Sequence, residues 1–217
     1  MPISSAIVDD LRREPPLATV GSRWRLMTDQ VMGGVSAGSM TRDVVAGRAA
    51  IRLRGEVSLE NSGGFVQMAL DLSPDGGAVD ASGWRGVELD VFGDGQAYNL
   101  HLRTDALTRP WQSYRQTFTA PAEWRTILLS FDAFVPHRTE APLDARRLRR
   151  IGVVAIGRAF SPDLALGGLR FLAAPAAFDA RTLDDDGRHA HTRAHRRQSA
   201  ARALPGLTPA TKRPLAR

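Results

Sequence analysis

The chain has 217 residues, is 43% hydrophobic and 6% aromatic, and carries a formal net charge of +6, which is enough for one domain with an aliphatic core and a further segment. Residues 179–217 hold nine basic and four acidic residues, whereas the rest of the chain holds 20 basic and 19 acidic residues. This near-neutral body argues against a nucleic-acid partner, because a phosphate backbone needs clustered cations. The absence of cysteine excludes disulfides, thiolate nucleophiles and sulfur-ligated zinc.

Apolar and polar residues alternate between turn signals at short intervals, and this pattern predicts an all-β fold, an antiparallel β-sandwich. The predicted strands cover residues 23–27, 39–45, 48–54, 64–71, 85–92, 96–104, 112–118, 124–130, 150–157 and 165–172. Gly93-Asp94-Gly95 is typical of a hairpin connection, because glycine adopts positive φ without steric cost. One helical turn is predicted over residues 143–148, with Asp144 near its N-terminus.

The composition changes after about Ala174. Residues 175–217 have few large apolar side chains, so we predict a disordered basic tail, after an N-terminal segment (1–20) and the sandwich (21–174). The tail is either a solvated extension or a binder of anionic membrane or nucleic acid. No secretory signal and no bilayer-spanning run is present, and we expect a cytoplasmic protein with no transmembrane segment.

The most distinctive stretch is Asp29-Gln30-Val31-Met32-Gly33-Gly34-Val35-Ser36. Adjacent glycines in an apolar segment indicate backbone conformations closed to other residues, or a close chain crossing. No lysine follows the glycines and no strand–helix pattern surrounds them, so this is not a phosphate loop. The stretch is either a structural corner or a loop that shapes a ligand or partner site.

Four stretches together resemble the complex I intermediate-associated protein 30 family. Residues 27–36 are similar to the signature that opens the family's domain, and residues 59–65 to its asparagine-rich stretch ending in Gly-Gly-Phe. Residues 93–104 and 124–152 are the third and fourth matches, in the family's order. Ser62 departs from the pattern, because the family usually has a second asparagine there, and the last strands match only loosely.

The resemblance implies a jelly-roll sandwich like galactose-binding domains. From the mitochondrial members it implies a chaperone for the assembly of respiratory complex I (NADH:ubiquinone oxidoreductase), with complex I subunits or assembly intermediates as protein clients. Such a protein would be peripheral to the inner membrane, and the arginine-rich composition with a single lysine favours a bacterial source. The partner-binding residues nominated by the resemblance are Asp29, Met32, Gly33, Gly34, Ser36 and Asn61.

An alternative is a carbohydrate or small polar ligand bound on a polar strand face. The candidate residues, which would meet if their strands are neighbours, are Glu88, Asp90, Asn99, His101 and Arg103. Gln67 and Arg115 would join them, and the candidate stacking aromatics are Trp84, Trp111 and Tyr114. The structural explanation is a solvated sheet face, whose cross-strand charge pairs contribute roughly 0.2–1 kcal/mol each.

Catalysis has little support, and we predict no enzyme activity and no cofactor. Glu88 and Asp90 lie two apart on one strand, about 7 Å, which suits an inverting hydrolase only if a substrate cleft exists. No motif places a serine nucleophile beside His101.

We predict no metal site either: nothing singles out Asp29 or Asp75 as calcium ligands. Arginines that repel cations surround three tail histidines, His189, His191 and His195.

Overall fold

Residues 4–173, which the computed structural model describes, contain twelve β-strands and four short 3₁₀ helices. The strands are β1 (Ile7–Asp9), β2 (Arg25–Thr28), β3 (Ala37–Val45), β4 (Arg48–Glu56), β5 (Phe65–Asp71), β6 (Trp84–Phe92), β7 (Ala97–Thr104), β8 (Ser113–Thr119), β9 (Arg125–Ser130), β10 (Val135–His137), β11 (Leu148–Ile156) and β12 (Asp163–Ala173). The 3₁₀ helices are Asp29–Met32, Glu60–Ser62, Phe131–Ala133 and Ala145–Arg147.

The strands form two antiparallel sheets. The first sheet has the order β3-β4-β12-β6-β9, with β1 also paired to β12. The second sheet has the order β10-β8-β7-β11-β5-β2. Strands that are distant in sequence are therefore neighbours in both sheets, as β4 and β12 are.

One apolar core joins the two sheets. Leu89 and Leu166 of the first sheet and Leu100 and Val153 of the second are fully buried in the same cluster. The residues between them along each strand point outward, because side chains alternate across a strand. The predicted antiparallel β-sandwich is confirmed.

The predicted elements agree closely with the observed ones. Each predicted strand is present, with ends within two residues of those observed. The predicted helical turn is the 3₁₀ helix Ala145–Arg147, and the Asp144 carboxylate caps it by accepting a hydrogen bond from the Arg146 amide (3.0 Å). Strands β1 and β10 were not predicted, because three residues are too few to show an alternation.

The predicted hairpin at Gly93-Asp94-Gly95 is wrong: this segment crosses from β6 in the first sheet to β7 in the second. Gly95 does adopt a positive φ of 78°, as expected of a turn glycine. One contact at this crossing comes from far along the chain: the Asp94 carboxylate accepts a hydrogen bond from the Asp163 amide (3.2 Å) as well as one from the nearby Tyr98 hydroxyl (2.9 Å).

The predicted N-terminal segment supplies strand β1 to the first sheet. Residues 174–217, which include the predicted basic tail, lie outside the described residues. In residues 4–173 no helix is long and apolar enough to cross a membrane.

Candidate functional site

Two loops are fastened together around a single buried carboxylate. The first loop (residues 29–36) follows β2, and the second (residues 58–64) precedes β5. The Asp29 carboxylate accepts hydrogen bonds from the amide and the hydroxyl of Ser36 (2.9 and 2.5 Å) and from the amide of Gly64 (2.5 Å). We call the two segments the joined loops.

Ser36 extends this link to the second loop. Its hydroxyl accepts a hydrogen bond from the Ser58 amide (3.0 Å) and lies 3.2 Å from the Ser58 carbonyl oxygen. Burial raises the pKa of the Asp29 carboxyl, but the hydrogen bonds from Ser36, Gly64 and Phe65 outweigh burial and hold that pKa below its ordinary value. An ionised carboxylate therefore organises both loops.

The glycines and Asn61 give the joined loops their backbone path. A Cβ at Gly34 or Gly63 would collide with the Asp29 carboxylate. Gly33 (φ 89°) and Asn61 (φ 53°) are in the left-handed region, which glycine and asparagine adopt more readily than other residues. Five residues nominated by the family resemblance thus have structural roles in these loops: Asp29, Gly33, Gly34, Ser36 and Asn61.

The joined loops expose apolar side chains to solvent. Val31 is 72% exposed, Met32 57%, Leu59 52% and Val35 44%. Of these, only Met32 was nominated from the sequence, because an apolar run does not itself tell a buried side chain from an exposed one. Several exposed apolar side chains on a well-fixed backbone are typical of a contact surface for another molecule.

The five residues predicted to form one polar face lie on two different sheets. Glu88 and Asp90 point outward from β6 in the first sheet. Asn99, His101 and Arg103 point outward from β7 in the second. The two groups do not form one site, because the chain crosses between the sheets after β6.

On the outer face of the first sheet, Arg170 binds both carboxylates. Its Nε lies 2.7 Å from Glu88 Oε1, and its Nη1 and Nη2 lie 2.9 and 3.1 Å from the two oxygens of Asp90. The Thr126 hydroxyl donates a further hydrogen bond to Asp90 (2.6 Å). Burial raises the pKa of Asp90, but the hydrogen bonds from Arg170 and Thr126 outweigh it and leave that pKa below its ordinary value.

The outer face of the second sheet, which we call the second-sheet face, holds the rest of the predicted polar residues. His101 lies between Arg115 of β8 and Gly152 of β11 in the strand register. The Gln67 amide lies over Gly152, where a Cβ would collide with it. Gln67 and Arg115, both expected to join the face, are therefore neighbours of His101. Asn99 lies beside them and accepts a hydrogen bond from the Thr117 hydroxyl (3.2 Å).

His101 is a buried histidine whose ring lacks a partner. The residue is 9% exposed, and its Nε2 has no hydrogen-bond partner among residues 4–173. Burial lowers the pKa of His101 to about 3, with further lowering by the positive charges of Arg115, His137 and Arg103. The ring is therefore neutral at physiological pH, and it has an unused polar atom.

Arg115 has few partners of its own. Within the described part of the chain it makes no salt bridge, and its one hydrogen bond runs from Nε to the Ser113 hydroxyl (3.2 Å). Burial and the nearby charge of Arg138 lower the pKa of Arg115. His137 of β10 lies opposite Ser113, and burial with the charges of Arg115 and Arg138 lowers its pKa as well. His137 was missed from the sequence because β10 is too short to be recognised.

Arg103 holds the loop that carries Trp111. Its guanidinium donates hydrogen bonds to the carbonyls of Gln112 (2.6 Å), Pro110 (2.7 Å) and Leu107 (3.1 Å), all in the β7–β8 connection. Trp111 projects from this loop and is 45% exposed. It is the member of the three predicted stacking aromatics that is available to a ligand.

The other two predicted aromatics are used in packing. Trp84 stacks on Phe171 with ring centroids 6.2 Å apart, and Tyr114 is fully buried. The Tyr114 hydroxyl donates a hydrogen bond to the Pro142 carbonyl (3.1 Å). Neither ring forms part of a surface platform.

No metal-binding cluster of three or more His, Cys, Asp or Glu residues occurs in residues 4–173. The Asp75 carboxylate accepts hydrogen bonds from the Ser73 hydroxyl (2.6 Å) and the Gly77 amide (2.8 Å). The three tail histidines considered as ligands lie outside the described residues.

Comparison with known proteins relates the chain to one family and to a class of binding modules. The family 11 carbohydrate-binding module of the Clostridium thermocellum cellulase Lic26A-Cel5E superposes with a TM-score of 0.62 at 13% identity, covering 80% of this chain and 97% of the module. The same species' family 11 module in complex with a β-1,3-1,4-mixed-linked tetrasaccharide superposes with a TM-score of 0.61 at 14% identity, covering 80% of this chain and 98% of the module. The family 30 carbohydrate-binding module of the C. thermocellum cellulase Cel9D-Cel44B superposes with a TM-score of 0.52 at 12% identity, covering 76% of this chain and 96% of the module.

At this identity the likeness establishes the fold, a jelly-roll sandwich of the galactose-binding type. No curated protein matches the chain. The model of the family described as complex I intermediate-associated protein 30 matches residues 17–166, more than half of the chain. The chain therefore belongs to the complex I intermediate-associated protein 30 family.

Proposed function

We propose that this chain is a non-catalytic binding protein that attaches to a protein client through the joined loops. The observation that carries the proposal is the exposure of Val31, Met32, Val35 and Leu59 on loops that a buried carboxylate fixes in place. These loops contain two of the four stretches that resemble the family's motifs. A preformed apolar surface binds with little loss of conformational entropy.

The family description favours a client from respiratory complex I. Permanent protein complexes bury large, apolar interfaces, so an assembly intermediate exposes apolar surface that its missing subunits later cover. The apolar side chains of the joined loops have the chemistry to cover such a surface temporarily. In this proposal the protein is an assembly chaperone that works in the cytoplasm, peripheral to the inner membrane.

The test is an affinity purification of the full chain from crosslinked host membranes, with mass spectrometry of the bound proteins. The test variant carries Val31→Ser and Met32→Ser. The control carries Val44→Ser and Leu128→Ser, which remove two exposed apolar side chains (69% and 54%) from the first sheet. We expect complex I subunits with the wild type and the control but not with the test variant. Equal recovery with all three, or no complex I subunit at all, would reject the proposal.

A second candidate function is the binding of a carbohydrate or another small polar ligand on the second-sheet face. The observation that favours it is the unpartnered His101 Nε2 beside the unpaired Arg115, with the exposed Trp111 ring on a loop of the same sheet. Sugar-binding sites combine hydrogen-bonding groups with aromatic rings. The solved structures that share this fold are described as carbohydrate-binding modules, one of them with a bound tetrasaccharide.

The second candidate is tested by a glycan array followed by calorimetry on the full chain. Trp111→Ala should weaken any saccharide binding, because stacking on an aromatic ring is lost, whereas Leu128→Ala on the first sheet should leave it unchanged. A flat array, or equal affinity in both variants, would reject a saccharide site at the second-sheet face.

A further inference from the structure

The second-sheet face carries an excess of positive charge. Its strands direct four arginines outward, Arg25, Arg103, Arg115 and Arg150, but only a single aspartate among the described residues, Asp71. Asp71 is held by both Arg25 and Arg150, and Arg103 is held by loop carbonyls. The remaining cation, Arg115, has no acidic partner within residues 4–173.

The surroundings of Arg115 concentrate this excess. Arg138 acts on Arg115 with a like charge, and His137 and His101 lie on the two strands that flank β8. The arginines that act on His101, Arg115 and Arg103, are both positively charged. A half-buried guanidinium beside an unpartnered imidazole nitrogen is costly unless a further group supplies the missing acceptor.

We propose that Arg115, His101 and His137 form a subsite for the carboxylate of an acidic saccharide. The proposal rests on the second candidate function above and deepens it, because it names the chemical class of the ligand. A carboxylate matches the planar fork of a guanidinium and accepts two parallel hydrogen bonds from it. It would also accept a hydrogen bond from the neutral imidazole.

The geometry sets two conditions on this binding. His101 Nε2 is buried, so the flexible side chains next to it, Arg115 and Gln67, turn aside when the carboxylate enters. The exposed Trp111 ring is carried by the β7–β8 connection, and that connection joins the strands of His101 and Arg115. A ring of this kind stacks on a sugar, so the ligand is a saccharide with an attached anion rather than a free inorganic ion.

The number of free cations argues against nucleic acid. Affinity for a phosphate backbone grows with the number of lysines and arginines that neutralise phosphates. Among residues 4–173 this face has two neighbouring arginines without an acidic partner, Arg115 and, directly after β10, Arg138. Two guanidiniums suit one carboxylate better than a run of phosphates.

The test is calorimetry of the full chain with oligosaccharides of glucuronic, galacturonic and mannuronic acid. The matched ligands are the methyl esters of the same oligosaccharides, which keep the sugar and remove the charge. Inorganic phosphate and sulfate alone are the third arm. We expect at least one acidic oligosaccharide to bind, about tenfold or more tightly than its ester, since hydrogen bonds to charged groups are the stronger ones.

Variants assign the binding to the proposed residues. Arg115→Gln should weaken acidic-saccharide binding by about tenfold or more and leave ester binding unchanged. Arg125→Gln, which removes one exposed arginine from the first sheet, is the matched control and should have no effect. His137→Gln, on the edge strand β10, gives a second test if Arg115→Gln does not fold.

The outcomes separate the subsite from the function on which it rests. Equal binding of acids and esters overturns the carboxylate subsite but leaves a saccharide site standing. Binding of phosphate or sulfate alone overturns the assignment to a saccharide. No binding of any oligosaccharide, charged or neutral, overturns both.

Discussion

The outer faces of the two sheets carry charge in different ways. At the centre of the first sheet the charged residues pair with one another: Arg170 binds Glu88 and Asp90, and Arg52 binds Asp163 through two hydrogen bonds of 2.6 and 2.7 Å. On the second sheet Arg115 has no acidic partner in the described residues. Charged residues on a strand therefore indicate a binding surface only where the protein itself provides no partner for them.

The first face also has an apolar cover of its own. Trp124 lies over Gly167, with Phe92, Ala50 and Ala165 packed against it. Its indole Nε1 donates a hydrogen bond to a strand β3 carbonyl (2.9 Å). The outer face of the first sheet therefore consists of a small apolar cluster bordered by ion pairs, whereas Arg115 and His101 on the second-sheet face lack such partners among residues 4–173.

The largest effect should come from removing the central arginine of the first face. Arg170→Met leaves Glu88 and Asp90, both mostly buried, without their main partner. Because loss of one partner from a buried ion pair is strongly unfavourable, we expect the free energy of unfolding to fall by about 3 kcal/mol. Urea unfolding of the full chain measures this change. A loss below about 0.5 kcal/mol would mean that the network is a weak surface one.

A smaller loss of stability should follow from replacing Arg103, the arginine of the second-sheet face that is hydrogen-bonded to a loop of the protein itself. Arg103→Met leaves three carbonyls of the β7–β8 loop without their donor. We expect a loss of about 2 kcal/mol, the value typical of a hydrogen-bonded charged group. The fluorescence of Trp111 should move toward that of a fully exposed indole. Unchanged stability together with an unchanged spectrum would contradict the structural role of Arg103.

Acid should destabilise the protein through His101. The pKa of His101 in the folded chain is about 3, below the ordinary value of 6.5, so the unfolded chain takes up the proton first. The stability contributed by the neutral ring is complete above the ordinary pKa and is lost as the pH falls toward 3. Between those values the wild type should lose about 1.4 kcal/mol per pH unit more than His101→Asn does.

Urea unfolding at a series of pH values measures this slope. His137→Asn is the matched control, because His137 is more exposed and its pKa is lowered less far. Like His101→Asn, the His137→Asn variant should lose less stability per pH unit than the wild type, but its difference from the wild type should be smaller. Identical slopes for the wild type and His101→Asn would show that the ring is protonated in the folded chain.

The smallest effect on stability should come from the unpaired arginine. Arg115→Met removes a cation whose side chain makes one hydrogen bond, to the Ser113 hydroxyl, and has no acidic partner in residues 4–173. We expect the free energy of unfolding to stay within about 0.5 kcal/mol of the wild type. Thermal unfolding is sufficient to check this. A loss of about 2 kcal/mol or more would reveal a structural partner and remove the contrast between the two faces.

The sequence predicted the strands because each was long enough to show its alternation. Residues 85–92 and 96–104 correspond closely to β6 and β7. The connection between them was interpreted wrongly because a hairpin and a crossing share the same local signal. What separates the two is the contact of Asp94 with Asp163, which lies 69 residues away.

The candidate sites were predicted in part for the same reason. Asp29 was nominated by family resemblance, but its role depends on Gly64 and Phe65, about 35 residues further along the chain. His101 and Arg115 were both named as members of a polar face. Strand order, which periodicity does not specify, decides that His101 lacks a hydrogen-bond partner and Arg115 an acidic one among residues 4–173. Strand order also places Glu88 and Asp90 on the other sheet.

From the contrast between the two sheets we infer that the second-sheet face, the second candidate site, binds a ligand and that the first-sheet face is structural. The most direct test is an NMR titration of the full chain with the uronic-acid oligosaccharides, following the arginine Nε–Hε signals. We expect the Arg115 signal to shift as ligand is added and the Arg170 and Arg52 signals to stay unchanged. A shift at Arg170 or Arg52 without one at Arg115, or no shift at any of the three, would contradict it.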